Sequence, residues 1–264
     1  MSASEKHPAV PAAGGGTDHI PSYFANANNP PRSVYVAALS GGPDLAVAGW
    51  LQLSYEALES KSAVCAWDGF HEELYADPAL NIRRGDTLRA RKLAAGQGRP
   101  RLTSARRGPS RAEQWGYRHV LRRGLEVVAR LPGTTAGTAL GAGASAAATT
   151  EALLAGLSSR HRADGGTAAL AVVRTHTAAA HWYDLTPHPA PAAPELVQGP
   201  PYAPAAPELV QGPPYAPAAA GGLLEAAEFV AYCAYQHHAR FHNRRFLWEW
   251  LPDLLPDALP PLRI

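Results

Sequence analysis

Residues 43–61 read PDLAVAGWLQLSYEALESK, and the period assigned to this run decides the fold class. Leu45, Ala48, Leu51, Tyr55 and Leu58 recur at helical spacing, with Trp50 and Leu53 beside them. Pro43 suits a first helical position, because its fixed φ fits the helix and its missing N–H would go unused there. The spacing predicts a helix over about 43–61. Upstream, residues 33–39 (SVYVAAL) read as a short strand or the start of a helix. Downstream, residues 68–76 read as a short helix stopped by Asp77-Pro78.

Further helices follow. Asp86 or Thr87 can cap one that runs through Ala95, and Gly96 to Pro109 is a loop with Gly, Pro and Arg pairs. Ser110-Arg-Ala-Glu113 is a capping box, in which the Ser side chain meets the backbone N–H three residues on and Glu reaches back. A helix is expected from there to Leu131. Residues 134–150 are a run of small side chains, weak as an isolated helix because Gly and Thr oppose it. Residues 149–160 make a better helix, closed by Gly165-Gly166. Residues 167–184 carry β-branched positions near Val172, but the Ala-rich remainder favours a helix. The longest helix signal spans about 223–251, after Gly221-Gly222.

The expected fold is therefore mainly α. An extended N-terminal arm (1–32) precedes a helical core (33–185). A Pro-rich linker (186–220), a long helix (221–251) and a Leu/Pro tail (252–264) complete the chain. The linker holds an internal repeat: residues 190–202 (APAAPELVQGPPY) recur without change at 203–215. Two thirteen-residue copies are too short to stack a solenoid core. Their proline content gives extended chain, either a flexible linker or a surface-docking arm through Leu196, Val197 and Tyr202.

Charge is strongly polarised. The chain carries a net +2, yet residues 83–130 hold fourteen Lys and Arg against three acids, a net +11. Both flanks are acidic. Thirteen of these fourteen cations are Arg, whose planar fork matches phosphate in a bidentate way. The candidate nucleic-acid contacts are Arg83, Arg84, Arg89, Arg91, Lys92, Arg99, Arg101, Arg106, Arg107, Arg111, Arg118, Arg122 and Arg123, joined by Arg240, Arg244 and Arg245. Sparse aromatics in the block (Trp115, Tyr117) argue for phosphate contact over base stacking. A solvated basic face, or pairing with the acidic flanks, is the plain alternative. The candidate subunit contacts are Tyr23, Phe24, Leu196, Tyr202, Leu254, Leu255, Leu259 and Leu262.

Other motifs fail on context. Gly141-Ala-Gly143-Ala-Ser-Ala146 has the letters of a dinucleotide turn, but no predicted strand leads into it. His238 and His242 have metal-pair spacing on a helix, without an intervening Glu or an evident third ligand. Cys65 and Cys233 are too few for a disulfide framework and read as buried free thiols. No secretory signal or membrane span is recognised in the sequence. The expectation is a non-enzyme without cofactor or metal.

With 53 Ala and 25 Pro around an Arg-rich middle, the chain resembles the proline-alanine-serine-rich proteins of polymycoviruses, although its Ser content is modest at thirteen. The resemblance is one of length, composition and charge layout. It implies a capsid or nucleoprotein subunit that coats double-stranded genomic RNA, self-assembles with exchanged arms into a filament, and resides in the virion and the host cytoplasm. Two other readings stay open: an accessory subunit of a large organellar or algal complex, and a metal enzyme built on the His237 to His242 helix.

Overall fold

The computed structural model describes residues 33–54, 56–57, 60–97, 110–166, 169–175, 180–185, 208–210 and 216–264. Tyr23, Phe24, Leu196, Tyr202, Arg99, Arg101, Arg106 and Arg107 lie outside them.

The fold is α/β, which corrects the mainly α expectation. A seven-stranded mixed sheet has the order β6-β5-β4-β1-β2-β3-β7. Strands β1 (Ser33–Gly41), β2 (Leu45–Ser54) and β3 (Thr134–Ala142) form an antiparallel run. Strand β4 (Ala169–Arg174) lies parallel to β1, and β5 (His181–Asp184) and β6 (Glu208–Val210) continue antiparallel from it. The far edge is β7 (Leu259–Arg263), parallel to β3.

Three expected assignments fall together, for one reason. Residues 45–54, most of 134–142 and 169–174 lie in strands whose two faces are both covered, so polar positions do not alternate with apolar ones. Leu45, Ala48 and Leu51 match a helical period only because nearly every position in the run is apolar. The period of two is visible in the packing instead. Val34, Val36 and Ala38 face one hydrophobic layer, while Tyr35, Ala37 and Leu39 face the other. The small residues of β3 let Trp50 lie across it, with its indole against Gly137.

The first layer holds α1 (Ser62–Ala76), α2 (Ala90–Ala94), α3 (Arg111–Val128), α5 (Ala216–Ala239) and α6 (Trp250–Leu254). The second is covered by α4 (Ala146–Ala163), through Leu153, Leu154 and Leu157, and by Leu259, Leu262 and Ile264. Helix α5 lies directly on the sheet. A side chain at Gly49 would overlap the backbone of Ala231 and Ala227, so Gly49 sets how closely the two approach. Trp67, Phe70 and Phe229 pack together between α1 and α5, with ring centres 5.2 and 5.6 Å from Trp67. Burying each such ring contributes about 2–3 kcal/mol.

Helix α3 begins at the expected cap: Ser110 Oγ accepts from Glu113 N, and Glu113 Oε2 accepts from Ser110 N. The 223–251 expectation needs correction. Helix α5 ends at Ala239, where Arg240 takes φ 50°, and a 3-10 turn (His242–Leu247) redirects the chain. The Leu/Pro tail folds back on its own molecule. Leu255 is buried, Leu254, Leu259 and Leu262 are half-buried, and Ile264 N donates to Leu140 O. Cys233 is buried as expected, whereas Cys65 is exposed.

Candidate nucleic-acid interface

Helix α3 is amphipathic. Tyr117, Val120, Leu121, Leu125 and Val128 are buried, while Arg111, Trp115, Arg122 and Arg123 are exposed and Arg118 is half-buried. The break after α5 brings Phe246 and Trp250 to this outer surface. The Arg118 guanidinium carbon lies 5.0 Å from the Trp115 ring centre and 4.8 Å from that of Phe246. Phe246 in turn packs on Trp250 at 5.4 Å. Together with His119 and Arg122 they line a cleft of about 210 Å³. Arg118 Nε is buried without a hydrogen-bond partner. Desolvation, then the nearby Arg244 charge, lowers the Arg118 pKa, but a guanidinium stays charged near neutrality.

The cationic surface extends from there. Arg244 and Arg91 both lie close enough to the Tyr232 hydroxyl to act on it, Arg244 the more strongly. Burial raises the Tyr232 pKa, and both arginines oppose that rise. Arg240 and Arg245 each stand 5.6 Å from the Trp248 ring centre. Cations from α2, α3 and the 3-10 turn thus come together, beside the Trp115, Phe246 and Trp250 rings. The scarcity of aromatics around residues 83–130 was a property of the local sequence: the fold imports Phe246 and Trp250 from the far end of the chain.

Other arginines of the basic segment are held internally. Arg84 pairs with Glu72 and Arg123 with Glu73, both at 2.5 Å, and Arg122 reaches Glu126 at 3.2 Å. The acidic flank therefore does neutralise part of the block. Arg89 and Arg174 both bind Glu228 Oε2, at 3.0 and 2.8 Å. Arg83, Arg91, Lys92 and Arg111 are exposed. A second cleft of about 380 Å³ lies along the segment, lined by Asn81, Asp86, Arg89, Lys92, Gln97 and Tyr117 among others.

Sequence reasoning missed one polar centre under α5. Glu225 is buried, with Oε1 accepting from Leu88 N at 3.0 Å and Oε2 standing 2.9 Å from His71 Nε2, off the line of a hydrogen bond. His71 Nδ1 meets Tyr75 OH at 2.8 Å. The available signal was Glu225 and Glu228, three apart in the apolar stretch of the helix that precedes Gln236.

The histidine pair does not share a helix, because His238 lies in α5 and His242 beyond its end. His237 Nδ1 is bound to Trp248 O. Burial, with His237, Arg263 and Arg240 nearby, lowers the His238 pKa. Among the described residues no group of three His, Cys, Asp or Glu side chains is placed to hold a metal. Comparison of the chain with protein-family models, curated proteins and solved structures finds no match.

Proposed function

We propose that this chain is a structural RNA-binding subunit that coats a polyanion through the face centred on Arg118. The arrangement that carries this reading is Arg118 set between Trp115 and Phe246, with Arg244 close by. Arg118 and Arg244 are like charges close enough to act on each other, and the residues that line the aromatic cleft include no carboxylate, although Arg122 at its side is paired with Glu126. A bound phosphate would relieve that repulsion, and Arg offers it paired donors. Trp115, left 45% exposed, offers a flat ring to a base or ribose. Contacts of this kind do not depend on sequence, which suits a coat for genomic RNA, as the polymycovirus resemblance implies. Self-assembly belongs to the same proposal and involves the arm and repeat residues outside the described set.

The test is fluorescence anisotropy with single- and double-stranded RNA of equal length. Changing Arg118, Arg122, Arg244 and Arg245 to Gln is expected to weaken binding at least 30-fold. Arg162→Gln, on α4 across the sheet, serves as the control and is expected to change it less than twofold. Equal effects would contradict the placement of the interface.

A further inference from the structure

Strand β6 comes from the second copy of the tandem repeat. Glu208, Leu209 and Val210 pair antiparallel with Asp184, Tyr183 and Trp182. The first copy, outside the described residues, carries the same Glu195, Leu196 and Val197 in the same thirteen-residue context. Whatever the β5 edge recognises in one copy, it meets unchanged in the other. We infer that the β5 edge is a docking site that either Glu-Leu-Val can fill, so the edge strand slips by one whole repeat.

Proline confines the slip to this step. Each copy has one Pro-free run long enough to donate successive backbone N–H groups, ELVQG, bounded by Pro194 and Pro200 in the first copy and Pro207 and Pro213 in the second. Any shift other than thirteen sets a proline or an unlike residue on the ladder, and proline cannot donate. Pairing being equal, loop closure alone sets the balance. With β6 as observed, 23 residues connect it to β5 and five connect it to α5. With the first copy docked, the connections become ten and eighteen. Closure weights falling as the three-halves power of loop length favour the observed strand by only about twofold. The slip therefore transfers thirteen residues from one connection to the other at almost no cost. The occupant is the chain's own first copy, since a tethered strand acts at an effective concentration near millimolar.

The test uses proline pairs, because one of two successive N–H groups must face β5. Amide hydrogen exchange is read at those of Trp182, Tyr183 and Asp184 whose N–H turns towards β6, with the amides between β5 and β4 reporting that the sheet stands. Leu209→Pro with Val210→Pro is expected to lower β5 protection about threefold, and Leu196→Pro with Val197→Pro less than twofold. All four changes together are expected to lower it at least tenfold. If the first pair alone equals the quadruple variant, the first copy does not dock and the inference is overturned. It is also overturned if the quadruple variant keeps its protection. Protection in the first pair that vanishes on dilution, with dimers in sedimentation, would assign the strand to a second molecule and likewise overturn it.

Discussion

The Arg118 guanidinium stands 4.8 Å from the ring centre of Phe246, joining the basic middle of the chain to the turn that follows its longest helix. That contact turns a charge anomaly in the sequence into a shaped surface, with cations, flat rings and a cleft between them.

Trp115 separates binding from folding. Its ring is 45% exposed, so Trp115→Ala is expected to shift stability by less than about 1 kcal/mol. Loss of one stacking platform is expected to raise the Kd for single-stranded RNA about 10-fold. Anisotropy and urea titration of one preparation check both halves. An unchanged Kd would remove Trp115 from the interface.

Glu72 and Glu73 compete with phosphate for Arg84 and Arg123. Changing both to Gln is expected to tighten RNA binding and steepen the salt dependence by about 1–2 in log-log slope. Stability is expected to move by less than about 1 kcal/mol per pair, because both bridges are exposed. A slope equal to that of the parent protein would mean these arginines lie off the RNA path.

Glu228 carries two arginines on one carboxylate oxygen. Desolvation is the main influence lowering the Arg174 pKa, and the Glu228 charge is the main one resisting it. Glu228→Gln leaves Arg174 charged and largely enclosed. The expected loss is about 2–3 kcal/mol in urea unfolding, moderated by the partial exposure of Arg89. A loss below about 0.5 kcal/mol would contradict the assignment.

His161 gives the fold an acid limit. It is buried, its Nδ1 lies 3.3 Å from the Tyr35 hydroxyl, and Gly166 packs on its ring. Burial lowers its pKa, and Asp164 opposes that shift only in part. Tyr35 is pushed up to about 12, chiefly by burial, and stays protonated. Below a pH of about 6.5 the unfolded chain binds the imidazole proton more readily than the folded one. Stability is therefore expected to fall as pH drops through that value towards the folded pKa. In His161→Gln the slope of Tm against pH between 7.5 and 5.5 is expected to flatten. An unaltered slope would place the acid sensitivity elsewhere.

The C-terminal tail closes a sheet edge. Deleting residues 259–264 uncovers β3 and removes Leu259, Leu262 and Ile264 from the second core layer. The expected cost is about 2–3 kcal/mol, with aggregation through the open edge. An unshifted urea midpoint would show that the tail is dispensable.

The features legible in the sequence were those written in local chemistry. Ser110 and Glu113 announced the start of α3, and Gly165-Gly166 marked the end of α4. What stayed hidden depended on the distant chain. Residues 45–54 look helical until the layers on both sides of the sheet are known. Arg118 looks like one cation among fourteen until Phe246 arrives beside it. Likewise, Arg84 and Arg123 look available until α1 supplies Glu72 and Glu73.

The most direct test of RNA coating is the dependence of the association constant on salt, from 50 to 300 mM, for the full chain and a random-sequence RNA. Engagement of five or six phosphates by the Arg118 face gives an expected log-log slope of about −3.5 to −4 on this single strand. A slope near zero, or a Kd above about 100 µM at 50 mM salt, would contradict the account.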